Sequence, residues 1–482
     1  MILILGWVFV PFYSRSMVYT MPEFLERRYN PQSRTILSVI SLVSYVLTKV
    51  AVTVYAGGLV FQQVFGIKEL WGIDFFWIAA IGLVVLTALY TIFGGMKSVL
   101  YTSVLQTPIL LLGSLIILVL GFKELGGWDE MMRVCGAVTV NDYGDTMTNL
   151  IRSNDDANFP WLGALIGSAI IGFWYWCTDQ FIVQRVLSGK NEKEARRGTI
   201  FGAYLKLLPV FMFLIPGMIA FALHQKYIGA GGEGFLPMLA NGTANADAAF
   251  PTLVAKLLPA GVKGLVVCGI LAALMSSLAS LFNSSAMLFT IDFYKRFRPE
   301  TPEKKLVGIG QIATVVIVIL GILWIPIMRS VGDVLYTYLQ DVQSVLAPGI
   351  AAAFLLGICW KRTSAQGGMW GLIAGMIIGL TRLGAKVYYS NAGEVADSTF
   401  KYLFYDMNWL FFCGWMFLFC IIVVIVVSLA TEAPTAEKIQ GLVFGTATKE
   451  QKAATRASWD HWDIIHTVII LAITGAFYWY FW

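Results

Sequence analysis

The stretch Trp174-Tyr175-Trp176-Cys177-Thr178-Asp179-Gln180 lies inside an apolar run from Trp161 to Val183 and is followed by Gln184-Arg185. A run of that length reads as a membrane-spanning helix, yet it carries an aromatic ledge, a carboxylate and an amide where hydrocarbon favours Leu or Val. Polar groups so placed face a cavity, unless the helix ends there and Asp179 merely reaches the lipid headgroups. At about 1.5 Å per residue, Asp179 lies about 9 Å inside the interface marked by Arg185, and Tyr175 about 15 Å inside, near the midplane. Tyr175 and Trp176 are therefore the more informative pair.

Working outward, the composition agrees with a membrane setting. The 482 residues are 58% hydrophobic and only 13% charged, with a mean hydropathy of +0.72, whereas a soluble domain carries roughly a quarter charged residues. Six cysteines show no metal or disulfide spacing and three histidines form no array, which argues against a metal-centred enzyme. No nucleophile, base and oxyanion arrangement is visible, nor a phosphate loop, so an enzyme is disfavoured. The net charge of +5 reflects loop topology and not a nucleic-acid partner.

Apolar runs separated by charged loops predict twelve spans, at 1–17, 34–66, 73–94, 98–121, 160–184, 198–224, 260–293, 306–328, 334–358, 366–385, 408–430 and 463–482. Two of these, ending near Phe65 and Phe293, exceed about 30 Å of hydrocarbon, so each is tilted, broken or extended along the interface. Alternate loops hold 21 of the chain's 34 Lys and Arg, and such loops face the cytoplasm. The count sets 11 others with the opposite loops and leaves Lys49 and Lys206, well inside their spans, with neither group. The acidic loop 122–158 and the C-terminus then face outside, and 432–462 reads as a cytoplasmic tether. Asn241-Gly242-Thr243 matches the glycosylation pattern on an outer loop.

Polar residues recur at matched depth. Lys206 stands about 13 Å from the cytoplasmic edge of its span, near the level of Tyr175 on the preceding helix. A lysine in hydrocarbon costs a few kcal/mol unless it finds acceptors or water, so it reads as functional unless it snorkels to the headgroups. Lys49 is a similar case without aromatic company at its own level, and reads equally as a helix-packing ion. Ala273, Ser276 and Ser277 share a face mid-span; small residues there permit close packing, and hydroxyls beside loosened backbone also suit Na⁺. In Tyr336-Thr337-Tyr338-Leu339-Gln340 the amide precedes Pro348-Gly349, which predicts an interrupted helix with a binding amide, or a plain proline kink.

Several blocks resemble the sodium/solute symporter family, and within it the sodium/glucose cotransporters. They are Tyr19 to Tyr29, Trp174 to Arg185, Tyr204-Leu205-Lys206, Ala272 to Ser277 with Phe282-Asn283-Ser284, and Phe354 to Lys361. The resemblance spans nearly the whole chain. It implies an all-α polytopic membrane protein with the inverted-repeat, five-plus-five LeuT-like transporter fold and extra C-terminal helices. Residues 1–121 would be the remainder of the first repeat, 122–158 an extracellular loop, 159–358 the second repeat, 359–431 peripheral helices, 432–462 a cytoplasmic loop and 463–482 a C-terminal span. It also implies a plasma or inner membrane location, with Na⁺ as the transported co-substrate and a sugar or polyol as the solute. Lys206 and Gln340 would bond the sugar hydroxyls, Tyr175 would stack on the ring, Trp176 and Tyr336 would shape the cavity, and Ala273 (by its carbonyl), Ser276 and Ser277 would hold the ion. An aromatic face with a few amide and ammonium donors is what a neutral polyol demands.

Three departures accompany the resemblance. The family begins with one further helix and then a broken first helix, so the expectation is that this chain starts part-way through the helix after them. Ser103 stands where the sugar transporters usually carry Asp, near the sodium site. Gly172, one turn before Tyr175, offers no side-chain hydrogen bond. The leading reading is sodium-driven uptake of a glucose- or galactose-like monosaccharide by alternating access. The alternatives are symport of another small solute such as inositol, and a non-transporting sensor or degenerate paralogue.

Overall fold

A computed structural model describes the chain except residues 17, 19, 240, 241, 332, 333, 393–395 and 482, and it describes no side chains at 90, 92–100, 102, 103, 105 and 329–331. Asn241 and the side chain of Ser103 therefore lie outside the described residues. The chain is a bundle of helices, α1 Ile2–Ser16, α2 Met21–Arg28, α3 Pro31–Phe65, α4 Phe75–Leu125, α5 Trp128–Gly136, α6 Trp161–Thr178, α7 Gln180–Leu187 and α8 Glu192–Gly229. There follow α9 Ala249–Leu257, α10 Ala260–Phe297, α11 Glu303–Val331, α12 Leu335–Cys359, α13 Ala365–Asn391, α14 Trp409–Ala430, α15 Lys449–Ala457 and α16 His461–Tyr480. Among the described residues ten helices are long and apolar enough to cross a membrane. The shorter apolar pieces Ile2–Ser16 and Phe75–Leu89 fall where the sequence predicts two more.

The predicted break near Lys97 takes an unexpected form. Backbone helical bonding is continuous from Phe75 to Leu125, but a straight helix would separate Leu83 from Ile109 by about 39 Å. Leu83 and Leu274 both pack on Gly57, while Ile109 and Leu110 pack on Gly269, only a little over one turn from Leu274. The chain therefore reverses between Leu83 and Ile109, giving two antiparallel arms against α10 as the two predicted spans require. The long spans are extended by π-helical turns: Tyr45–Val50 inside α3 and Leu288–Tyr294 at the end of α10.

The most enclosed element is α12, buried continuously from Asp341 to Phe354. Its contact with α13 is glycine on glycine: a Cβ at Gly375 would stand 2.6 Å from the Gly349 Cα, and one at Gly379 would collide with the Val345 carbonyl oxygen. Small residues let helix backbones approach this closely where lipid supplies no hydrophobic drive. The C-terminus of α12 is closed by α2, where Arg28 Nε donates to the Gly357 carbonyl at 2.7 Å and Tyr29 Oη to the Ala353 carbonyl at 2.7 Å. Asp247 closes the other end, accepting from Leu335 N at 3.1 Å. Burial holds the Asp247 carboxyl above its ordinary range, against the lowering effect of that bond.

Two expectations are corrected here. Pro348-Gly349 does not interrupt α12, which runs unbroken from Leu335 to Cys359. Neighbours at Ala347 and Ala351–Ala353 are small and buried, so the ring and the one missing donor are absorbed without a break. Arg382, counted with an outer loop, lies fully buried in α13, where it donates to the Met407 carbonyl at 2.7 Å and stands 3.7 Å from Asp341 Oδ1. Lys386 meets the other Asp341 oxygen at 2.5 Å.

Segment 432–462 is more than a tether. Phe444 N donates to the Ile358 carbonyl at 2.8 Å, its ring sits 5.3 Å from Phe12, and Lys438 Nζ reaches the Glu26 carbonyl at 3.0 Å. Arg196 and Glu192 both bind Ser458, and Arg197 pairs with Asp460 at 2.7 Å. At the opposite end of the bundle, Leu150 N donates to the Phe481 carbonyl at 3.1 Å, so loop 122–158 and the C-terminal helix share one face.

The glycine contact carries a prediction. Gly375→Leu should cost about 1–3 kcal/mol or more by overpacking and lower the thermal unfolding midpoint in detergent. Gly384→Ala, where a Cβ meets nothing within 4 Å, should leave it unchanged or raise it.

Candidate functional site

The apolar run that opens the sequence reading is not one helix. After α6, whose last turn Trp174–Thr178 is π-helical, Asp179 adopts an extended conformation and α7 starts at Gln180. A break inside the bundle exposes carbonyls of the first half and amides of the second, all of which need partners. Tyr13 Oη donates to the Cys177 carbonyl at 2.6 Å, and Asp179 caps α7 by accepting from Phe181 N at 3.1 Å. Gln180 Oε1 accepts from Met21 N at 2.8 Å. Asp179 is 4% exposed, so it does not reach the headgroups.

A buried carboxylate needs a counter-charge. Lys49 supplies it, its Nζ bonding Asp179 Oδ2 while Tyr45 Oη donates to Oδ1 at 2.9 Å. Lys49 also has aromatic company, contrary to the sequence reading: its Nζ stands 4.2 Å from the Phe181 ring centroid, 4.6 Å from Tyr45 and 5.3 Å from Tyr175. Two of these rings come from the broken helix and are invisible to a local reading. The third, Tyr45, is one turn before Lys49 in the sequence and was the available signal.

The structure joins Tyr175, Trp176 and Lys206. The two rings meet edge to face at 5.3 Å, and Lys206 Nζ lies 5.7 Å from the Trp176 centroid. Lys206 itself is exposed, and among the described residues no hydrogen bond links it to Gln340. Gln340 instead donates to Tyr336 Oη at 2.9 Å, and the Tyr336 ring lies 6.4 Å from Phe159. Helix α12, which carries both Gln340 and Tyr336, packs against Trp174–Thr178.

Ser276 is buried and Ser277 exposed, with Ala273 half-buried between them, because successive residues on a helix point about 100° apart. The helix itself is regular from Ala260 to Met287. Ser276 and Ser280 each bond the hydroxyl one turn on through their carbonyls, at 3.0 and 2.8 Å, and the ladder ends where Gln184 donates to Ser284 Oγ. The face carrying Ser276 thus runs by hydroxyls to α7 itself. All six cysteines are free.

The sodium:solute symporter family model matches residues 1–379. The chain belongs to that family. It is 36% identical to the sodium/mannose cotransporter of Bos taurus, over all of this chain and 83% of that one. It is 35% identical to the sodium/myo-inositol cotransporter 2 of Homo sapiens, over 92% and 67%, and 37% identical to the sodium/glucose cotransporter 1 of Ovis aries, over 90% and 67%. The fold is similar to that of a Na⁺-coupled sialic acid symporter solved in a substrate-bound outward-open state, with a TM-score of 0.67 and 21% identity, over 90% of this chain and 81% of that one. The symporter is therefore a multi-pass, sodium-coupled membrane transporter with the LeuT-like fold, and not an enzyme.

The Lys49–Asp179 contact predicts strong non-additivity in this symporter. Lys49→Met or Asp179→Asn alone should cost about 3–5 kcal/mol by stranding a buried partner, and the double variant should cost less than the sum. Unfolding midpoints of the four proteins in one detergent measure this, and simple additivity would remove the pair from the core of the fold.

Proposed function

We propose that this symporter imports a monosaccharide or cyclic polyol with Na⁺ across the plasma or inner membrane by alternating access. The observation that carries the reading is the edge-to-face Tyr175–Trp176 pair at a broken helix, with Lys206 on its flank. Rings offer a face to the apolar C–H side of a six-membered polyol, and an ammonium bonds its hydroxyls. The mannose, myo-inositol and glucose named for the three relatives share that ring of hydroxyls.

In this reading Lys206 and Gln340 bond hydroxyls, Tyr175 covers the ring from the inner side, and Trp176 and Tyr336 bound the cavity. Gln340 would exchange its Tyr336 partner for the solute. The Ala273 carbonyl, Ser276, Ser277 and Ser103 would contribute to the sodium site. Residues 1–121 and 159–358 would move as parts of the two inverted repeats. Each charge carried inward through 100 mV supplies about 2.3 kcal/mol, enough for a roughly fifty-fold solute gradient.

Proteoliposomes with an inward Na⁺ gradient should accumulate labelled glucose, mannose or myo-inositol, and replacing Na⁺ by K⁺ or choline should abolish it. Uptake equal in all three cations would overturn the coupling. Lys206→Ala should raise KM for the accepted solute about tenfold or more with the folded yield unchanged; uptake kinetics identical to the wild type would remove Lys206 from the site.

A further inference from the structure

We infer that the ends of α1 and α2, together with residues 437–451, form a binding site for a phosphate-bearing anion, separate from the solute pathway. Between them lies a cavity of about 460 Å³, large enough for a phospholipid headgroup. Its charged lining is Arg15, Arg27 and Lys438 against the single carboxylate Glu437.

The cations differ in how they are engaged. Arg27 is held by Glu23 at 2.6 Å and by the Ser16 carbonyl at 2.8 Å. Lys438 bonds a backbone carbonyl, that of Glu26, and among the described residues no carboxylate. Arg15 makes no hydrogen bond among the described residues, and Glu192, the carboxylate that acts on it, already binds Arg196 and Ser458. Two positive charges therefore stand in one concave site without acidic partners in hydrogen-bonding contact. The N-terminus of α15 opens into the same cavity, its lining residues Thr448 and Gln451 forming a reciprocal cap.

Chemistry and place select the ligand. Guanidinium and ammonium groups beside a helix N-terminus suit a phosphate oxyanion. The site lies on the face that the basic-residue count assigns to the cytoplasm, where anionic lipids concentrate. The phosphate can belong to such a headgroup or be free in solution. In either case it would bridge Arg15 on α1 to Lys438 on the docked segment, and so hold that segment down.

The test is limited trypsin digestion of the full chain in phosphatidylcholine nanodiscs, following cleavage after Lys449 and Lys452 by mass spectrometry. Three conditions are compared: phosphatidylcholine alone, discs containing phosphatidylglycerol, and phosphatidylcholine with millimolar inorganic phosphate at matched chloride ionic strength. Occupancy at ten times Kd should slow cleavage about tenfold. Slowing in phosphatidylglycerol alone assigns the site to a lipid headgroup, and slowing by inorganic phosphate assigns it to a soluble anion. Arg15→Gln, which leaves every contact of the docked segment in place, should digest at the wild-type rate without anion and lose the protection. Glu437→Gln should be protected at lower anion concentration. Equal rates in the three conditions, or undiminished protection of Arg15→Gln, would overturn the proposal.

Discussion

The fold turns on a carboxylate placed where a membrane helix stops and starts again. Asp179 supplies the acceptor that the first amides of α7 need, but a capping carboxylate inside a bundle brings a charge that low dielectric makes expensive. Lys49 neutralises it at Oδ2, and Tyr45 Oη donates to Oδ1 beside the capping amide of Phe181. One residue thus ties α3 to both halves of the broken helix. The π-helical turn Tyr45–Val50 carries the two partners, one turn apart, which suits the local irregularity such turns bring to functional regions. Everything proposed to bind solute lies within two turns of this junction or on helices packed against it.

The spans were legible because hydrocarbon thickness sets a length that few sequences meet by chance. The reversal inside α4 was legible too, as a lone Lys97 between apolar runs, although backbone bonding does not pause there. What a linear reading missed is non-local. Lys49 looked isolated because Tyr175 and Phe181 reach it from 126 and 132 positions away. Pro348-Gly349 looked like a break, but its neighbours are alanines that leave room for the ring, and Gly349 serves to admit Gly375. The true break announced itself only as Thr178-Asp179, a cap residue type inside an apolar run. Ser276 and Ser277 stand about 100° apart around α10, the first buried and the second exposed.

Helix α12 shows how charge outside the site can bear on it. Asp341 follows Gln340, and its two oxygens face Lys386 and Arg382 on α13. Arg382 in turn holds the Leu403 and Met407 carbonyls and lies over the Phe412 ring at 4.0 Å. Rotating α12 about its axis would separate these charges in a poorly solvated setting, so α13 fixes the azimuth of Gln340.

The two flanks of α12 differ in what motion they permit. Against α13 the contact combines bare glycine backbone with the Asp341 charges, and against α2 it is Arg28 and Tyr29 bonded to carbonyls of its last two turns. Pulling α2 away would strand buried donors and acceptors at about 1–3 kcal/mol each. Both flanks therefore resist separation. Among the described residues the contact of Trp174–Thr178 with α12 is aromatic and aliphatic packing with no charge across it. Sliding there strands no polar group, so the physical chemistry of the interfaces puts the compliant surface beside Tyr175 and Trp176 and the rigid one behind Gln340.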